Sequence, residues 1–350
     1  YILIIAYIMG LATGLHLLNL LTLPFIALII YFRKYRFEWP SFGIMVGLTA
    51  LVFLTIHNGI IKGLPKMAAG LLGVGGTAML ILAVFAAMVW SVMNKKHMSS
   101  VALTSVVLIL IGYSTYTLIY IRSNQDPTID ENDPETVVAM ISYLEREQYG
   151  SVGQFPRRFK GLKPIHEIVG YPEGPNRSYS FRQRKEYMGV ESGKQWDFFW
   201  NYQIRKMYNR YFLWQFAGRG PAINPEVTPM GATSREDGVD WTQFGLPLAL
   251  FLGIFGMIYH GYRDQRMALT ILSLFVLTGY AVIIYLNQDD PQPRERDYSY
   301  VGSFLAFSIW IGVGAAAVGE RIETWIQEKN FVNRLIVIAL ILQILFIPGV

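Results

Sequence analysis

The residues best suited to chemistry are concentrated in one connector between two apolar runs. The stretch 287–304 reads NQDDPQPRERDYSYVGSF and crowds acidic and basic side chains around two prolines. Because proline fixes its own φ and biases the preceding residue toward extended geometry, Pro291 and Pro293 should present these side chains from a stiff backbone. Arginine forks match phosphate oxygens in pairs, and neighbouring acids can orient the forks or bind hydroxyl groups. We therefore predict a lipid-phosphate- or substrate-binding site rather than solvated helix ends. The predicted binding residues are Arg294, Glu295, Arg296, Asp297 and Tyr298.

A carboxylate could act here as a general base toward a hydroxyl acceptor. Asp289 and Asp290 lie in the same connector, and Asp126 lies in an acidic segment, residues 121–135, that follows another apolar run. Helix-end solvation is the alternative for Asp289 and Asp290, and for the segment with Asp126 an ordinary acidic linker with turn-forming Asp-Pro pairs is favoured over catalysis. The catalytic residue therefore stays open, with these three aspartates as its candidates.

His16 and Asn19 interrupt the opening apolar stretch, which is too long for one span and holds glycines and a proline at its middle. We predict two short helices that meet at a turn near residues 14–19. Polar groups at membrane depth usually face a cavity or a partner, so both are candidate substrate-binding residues. A structural hydrogen bond is the alternative. The histidines show no metal-ligand spacing and the chain has no cysteine, so we predict no metal site and no disulfide.

The elements that must position these residues are membrane helices. The chain has 350 residues, of which 53% are hydrophobic and 16% charged, whereas soluble proteins carry about 25% charged residues. Apolar runs of about 20 residues cross a bilayer as helices, because every backbone amide is then satisfied within the segment. Besides the opening pair, such runs occupy residues 42–56, 74–90, 101–121, 246–262, 268–286, 301–319 and 335–347. We predict an all-α polytopic membrane protein with about nine spans.

The short connectors alternate in charge, which predicts the orientation. Those near residues 33–36, 95–96, 263–266 and 321–334 are richer in Lys and Arg, and the positive-inside rule assigns them to the cytoplasm. Residues 122–241 and 287–298 should then be extracytoplasmic. The predicted domains are N-terminal membrane helices (1–121), a large extracytoplasmic insert (122–241) and C-terminal membrane helices (242–350).

The insert is balanced overall, with 16 Lys/Arg and 16 Asp/Glu, but residues 157–185 form a basic patch. Before the patch, we predict a helix at 133–150 capped by Asp133. After it, residues 194–216 predict a helix with a wide aromatic face, which lies either in the headgroup plane or against a soluble subdomain. The net charge of +5 gives no support for a nucleic-acid partner.

Three stretches of the chain read GLHLLNLLTLPFIALIIYFRK, NQDPTIDENDPETVVAMISYLEREQYG and NQDDPQPRERDYSYVGSF. Together they resemble one family of bacterial membrane proteins, common in Bacteroidetes and related to the vertebrate plexin-type protein O-mannosyltransferases. The resemblance implies a GT-C-like helical bundle in the bacterial inner membrane. It also implies transfer of a sugar, expected to be mannose, from a polyprenyl-phosphate donor to Ser or Thr of an exported protein. Membrane lipid, the lipid-linked sugar and the protein acceptor are thus the expected partners, and no further cofactor is expected.

Such enzymes carry their catalytic acid in the first extracytoplasmic loop, and no segment here matches that loop. The family's catalytic residue is therefore not carried onto any position. We expect either that the sequence is a piece of a longer protein or that the protein is inactive as given. A transporter or flippase of lipid-linked sugars and a non-catalytic membrane scaffold are the alternatives. The charge-free centres of the spans after residue 40 argue against an ion-coupled transporter.

Overall fold

The described part of the chain is helical throughout. The computed structural model describes residues 1–130, 132–145, 192–220, 238–243, 245–288 and 295–327. Within these ranges the one β-type pairing is an isolated bridge between Arg219 and Val239. Two compact units are present: Tyr1–Leu23 with residues 37–145, and Pro24–Arg36 with residues 192–327. The all-helical prediction is confirmed for the described residues.

The helices up to residue 145 alternate long apolar segments with short irregular turns. In chain order they are α1 (Ile2–Leu15), a 3-10 segment (Leu17–Thr22), α2 (Leu23–Lys34), α3 (Trp39–Leu54), a π-helical segment (Thr55–Gly63), α4 (Leu64–Ala69), α5 (Gly73–Met93), α6 (His97–Tyr113), a 3-10 turn (Ser114–Tyr116), α7 (Thr117–Ser123) and α8 (Val137–Glu145). The predicted pair of short helices in the opening stretch is confirmed, because α1 ends at His16, whose backbone is extended.

In the first unit, α1 and α6 pack together at two glycines. A side chain at Gly112 would lie 2.6 Å from the Leu11 amide nitrogen and 2.7 Å from the Tyr7 carbonyl, and one at Gly10 would overlap the Ile109 backbone. Small residues allow this close approach, which stabilises helix pairs in a bilayer through van der Waals packing.

The acidic segment after α7 folds into a tight turn before α8. Asp126, Asn132 and Asp133 all have positive φ, a conformation that Asn and Asp tolerate better than most residues. The hydroxyl of Thr136 accepts a hydrogen bond from the Ala139 amide at 3.1 Å and caps α8. The prediction that Asp133 caps this helix is therefore wrong: Asp133 belongs to the turn.

Besides α2, the second unit contains the helices from residue 192 onward. They are α9 (Ser192–Asp197), a π-helical segment (Phe198–Asn209), α10 (Arg210–Phe216), α11 (Leu248–Arg263), α12 (Gln265–Thr278), α13 (Tyr280–Leu286), a 3-10 turn (Asp297–Tyr300) and α14 (Val301–Gln327). We call the continuous run from Phe198 to Phe216 the aromatic helix. Helices α11 and α14 meet at Gly256 and Gly314, where any side chain would overlap the facing backbone.

Part of the aromatic face predicted for residues 194–216 is buried. Tyr208 and Tyr211 on this face are almost fully buried, whereas Asn201 and Arg205 on the polar face are exposed. Among the described residues, the buried face packs against helices of the same unit, since Phe212 contacts rings of α12 and α14.

Within the described ranges, six helical segments are long and apolar enough to cross a membrane, so the chain is a multi-pass membrane protein. They are Leu17–Lys34, Trp39–Ala69, Gly73–Met93, His97–Ser123, Gln265–Leu286 and Asp297–Trp325. The predicted count of nine is not confirmed. Ile2–Leu15 and Leu248–Arg263 are helices of 14 and 16 residues, and residues 335–347 lie outside the described ranges.

Candidate functional site

The aromatic helix contributes a buried arginine to the end of the charged connector. The Arg210 guanidinium forms an ion pair with Glu295, with 2.9 Å between Nη2 and Oε2. The Arg210 side chain is only 8% exposed and that of Glu295 20% exposed. The guanidinium also lies over the Trp214 ring, 4.2 Å from its centroid, a cation–π geometry that favours Arg on aromatic faces. Glu295 is thus held by an arginine distant in sequence.

Tyr211, the next residue along the aromatic helix, fixes the same point. Its hydroxyl donates a hydrogen bond to Oε2 of Glu295 and accepts one from the Arg296 backbone amide at 3.2 Å. Burial raises the pKa of the Tyr211 hydroxyl, and the hydrogen bond to Glu295 raises it further. The phenol therefore stays protonated and keeps donating over the physiological pH range.

A second contact from the aromatic helix holds the residues just before the connector. The Gln203 side-chain amide donates to the Gln288 carbonyl at 2.8 Å and to Oδ1 of Asn287 at 3.3 Å. All three residues are buried. Asn287 ends α13 with a left-handed backbone (φ 41°), where Asn is tolerated better than most residues. The chain thus leaves α13 from a fixed position.

We call the Gln203–Asn287–Gln288 contacts the entry clamp and the Arg210–Tyr211–Glu295 contacts the exit clamp. One helix therefore anchors both ends of the connector. Its π-helical stretch ends at Asn209, and between the clamps the Tyr208 hydroxyl bonds that of Ser303. Long π-helical segments are rare and often occur at functional sites.

The predicted binding residues fall into three groups. Glu295, Arg296 and Asp297 are half-buried beside the exit clamp, and Asp297 accepts a 3.4 Å hydrogen bond from Gln215. Tyr298 is 51% exposed. The remaining connector candidates, Asp289, Asp290 and Arg294, lie outside the described residues, as does the basic patch at 157–185.

His16 and Asn19 both form hydrogen bonds with backbone groups at the helix break in which they lie. The His16 ring nitrogen Nδ1 accepts a 3.2 Å hydrogen bond from the Leu18 amide, and the Asn19 side chain donates to the Ala12 carbonyl at 2.8 Å. These contacts satisfy backbone groups where α1 gives way to the 3-10 segment. A role for either residue in substrate binding stays a prediction.

The acidic turn of the first unit is the second cluster of charged groups. Carboxylate oxygens of Asp130, Asp133 and Glu135 lie within 4.8 Å of one another, close enough to hold a cation. Repulsion from Asp133 is the main cause that raises the pKa of Glu135, with smaller effects from burial, Asp126 and Asp130. Exposed acidic groups commonly gather without a metal, and no second feature of the described residues points to one.

The sequence alone did not identify the clamp residues Gln203, Arg210 and Tyr211, since their partners lie more than 80 positions away. One signal was present. Polar residues recur at positions 197, 201, 205 and 209, a spacing longer than the 3.6 residues of an α-helical turn. That spacing is consistent with the underwound π-helical segment that the structure contains.

Comparison with known families connects the opening helices to a transferase. The family model described as the protein O-mannosyl-transferase TMEM260 N-terminal domain matches residues 1–39. The matched part covers α1, the 3-10 segment with Asn19, and α2. Neither the curated proteins nor the solved structures gave a match. The similarity supports a relationship to protein O-mannosyltransferases over this stretch.

Proposed function

We propose that this chain is part of a membrane glycosyltransferase of the protein O-mannosyltransferase type. It would move a sugar, mannose in the first instance, from a polyprenyl-phosphate donor to Ser or Thr of exported proteins. The observation that carries the proposal is the family match over residues 1–39. The multi-pass helical architecture agrees with it, because a lipid-anchored donor must be reached from within the bilayer.

In this proposal the connector end at Glu295–Tyr298 contributes to donor binding. Arg296 supplies a positive charge that suits a phosphate, and the exit clamp holds its backbone in place. Glu295 is engaged by Arg210, which leaves Arg296 as the arginine offered to the donor at the described end of the connector. The general base for the acceptor hydroxyl is not assigned to a residue, and Asp126, Asp289 and Asp290 stay candidates.

The test is sugar transfer by membranes that contain the full-length protein. Labelled mannosyl-phosphopolyprenol is supplied with a Ser/Thr peptide, and the same peptide with alanines at those positions is the blank. We expect transfer to the hydroxyl peptide and at least a tenfold loss of kcat/KM in Arg296→Ala. Arg205→Ala, which removes an exposed arginine from the polar face of the aromatic helix, should transfer normally.

Absence of transfer above the vector control, with mannosyl and other glycosyl donors alike, contradicts the proposal. Movement of the labelled lipid across vesicles without transfer would instead identify a flippase. If Arg296→Ala altered only the co-purification of partner proteins, a scaffold would explain the chain better.

The proposal also places Glu295–Tyr298 on the extracytoplasmic side of the bacterial inner membrane. Because the chain has no cysteine, single introduced cysteines report sidedness without background. We expect an impermeant maleimide to label Tyr298→Cys in intact cells. Arg263→Cys, at the exposed end of α11, should react only after permeabilisation. The reverse pattern would overturn the proposed topology.

A further inference from the structure

Among the described residues, several buried polar atoms without a hydrogen-bond partner lie beside the two clamps. Five of them are Oε1 of Gln203, Nε2 and Oε1 of Gln288, Oε1 of Glu295 and Nε of Arg296, and others lie elsewhere, on Tyr113, Asn132, His260 and Trp310. Gln288 is the most informative, because its side chain is buried, with only 8% of the residue exposed, and neither of its polar side-chain atoms is paired within the described residues. Buried polar groups in folded proteins are nearly always hydrogen-bonded, so an unpaired amide indicates a missing partner.

The contacts of Gln203 and Glu295 show which atom of each side chain is already hydrogen-bonded. Gln203 uses its nitrogen to hold the Gln288 carbonyl and Oδ1 of Asn287, which leaves its oxygen as an acceptor without a donor. Glu295 uses Oε2 for both Arg210 and Tyr211, which leaves Oε1 in the same position. In Gln203 and Glu295, therefore, one polar side-chain atom is hydrogen-bonded within a clamp and the other has no partner among the described residues.

The chemistry of the available atoms selects among ligands. Three of them accept hydrogen bonds, namely the oxygens of Gln203, Gln288 and Glu295, and two donate, namely Nε2 of Gln288 and Nε of Arg296. An anion would meet three acceptors, and a metal cation would meet the two donors. An apolar group would leave all five unpaired. A hydroxyl group both donates and accepts, so several neighbouring hydroxyls satisfy the whole set.

We propose that Gln203, Gln288, Glu295 and Arg296 form a subsite for the hydroxyl groups of a sugar. The identification of that sugar as the one carried by the polyprenyl-phosphate donor rests on the proposed function; the hydrogen-bonding set stands apart from it. Gln288 is the specificity-determining residue of the subsite, because it contributes both a donor and an acceptor.

The direct test measures sugar binding by the full-length protein in lipid nanodiscs. Saturation-transfer NMR is recorded with methyl glycosides of mannose, glucose and N-acetylglucosamine as probes. We expect binding of at least one glycoside by the wild type and at least a tenfold loss of affinity in Gln288→Met, which removes the amide at similar size. Gln265→Met, an exposed glutamine at the start of α12, is the matched control and should bind normally.

Ordered water, or connector residues outside the described ranges, could satisfy these atoms instead. In that case no glycoside binds the wild type, or Gln288→Met binds glycosides as well as the wild type does; either result overturns the subsite. If Gln288→Met does not fold, hydrogen–deuterium exchange of the wild type decides. The glycoside must slow exchange of peptides covering Gln203 and Gln288 relative to α5, and unchanged exchange contradicts the subsite.

The outcomes separate the subsite from the transferase. Glycoside binding that depends on Gln288, in a protein that transfers no sugar, retains the subsite and removes the proposed function. Transfer by Gln288→Met with a wild-type KM for the donor retains the function and removes the subsite.

Discussion

The two charged clusters of this chain use carboxylates in opposite ways. In the second unit, Glu295 lies between Arg210 and Tyr211, which join it from a helix more than 80 residues earlier. In the first unit, Asp130, Asp133 and Glu135 lie within six positions of one another, and their oxygens approach within 4.8 Å. One carboxylate is half-buried and compensated, whereas the others are clustered in a partly exposed turn.

The ion pairs of the two units also differ in their exposure to solvent. Arg210 and Glu295 have side chains 8% and 20% exposed, whereas the Lys66–Glu145 pair of the first unit is 53% and 26% exposed. Water screens the second pair far more than the first. Charge compensation in the second unit should therefore determine the geometry of the connector, and the charges of the first unit should adjust stability only slightly.

Breaking the exit clamp should have the largest effect. Arg210→Met leaves the half-buried Glu295 without its cation, which we expect to cost roughly 3 kcal/mol of folding free energy, at the lower end of the range for broken buried pairs. The measurement is denaturant unfolding in detergent micelles, followed by tryptophan fluorescence. Arg205→Met, from the exposed face of the same helix, should change stability by less than about 0.5 kcal/mol.

A double variant shows whether the uncompensated charge is the cause. Arg210→Met with Glu295→Gln removes both charges and should recover a large part of the lost stability, because no unpaired ion remains. If the double variant is as unstable as Arg210→Met alone, packing of the Arg210 stem on Trp214 is the main contribution instead.

Tyr211→Phe should have an intermediate effect that depends on pH. Removing the hydroxyl loses its bonds to Glu295 and the Arg296 amide, at a cost of about 1–2 kcal/mol near pH 7. Burial raises the pKa of Tyr211 in the folded protein. A raised folded pKa gives stability that is complete below the unfolded value near 10 and is lost as pH rises above it.

The difference between wild type and Tyr211→Phe should therefore be constant up to about pH 9 and shrink above pH 10. Burial also raises the pKa of Tyr208, so both proteins lose stability at high pH and only their difference is informative. Tyr298→Phe, at an exposed tyrosine, is the control. A difference that stays constant up to pH 11 would show that the Tyr211 phenol does not carry the effect.

Lys66→Met removes the exposed Lys66–Glu145 ion pair and should reduce stability only slightly. Exposed ion pairs contribute about 0–1 kcal/mol, and with Lys66 half exposed we expect a loss below about 0.5 kcal/mol that disappears in high salt. Unfolding midpoints at low and high ionic strength are the measurement. A loss comparable to that of Arg210→Met would contradict the distinction between the two units.

The sequence predicted those features that depend on local pattern. Long apolar runs predict membrane helices, and the polar interruption at His16 predicts the break between α1 and the 3-10 segment. The recurrence of Asn201 and Arg205 on one face predicts the exposed side of the aromatic helix. Each follows from residues within a few turns of one another, where periodicity carries the information.

The clamps could not be predicted because they depend on non-local pairing. The acidic and basic residues of the connector suggest that they pair among themselves, yet Glu295 pairs with Arg210. Likewise, Gln203 and Gln288 show no pattern that would connect them. The predicted cap residue of α8 was wrong for a different reason. Asp133 and Thr136 are both residue types that cap helices well, and the positive φ of Asp133 places it in the turn before Thr136.

A substitution in the acidic turn should have the smallest effect on stability, and it should stabilise the protein rather than destabilise it as at the exit clamp. Repulsion from Asp133 raises the pKa of Glu135, so the carboxylates disfavour the folded turn once both are ionised. Asp133→Asn should therefore raise the unfolding midpoint slightly at pH 7. A raised folded pKa means that this penalty is absent below the unfolded value near 4.5 and appears as pH rises through the folded value, so the gain should vanish at pH 4. Thermal unfolding at the two pH values decides: an Asp133→Asn variant less stable at pH 7 would show that these carboxylates are compensated after all, as Glu295 is.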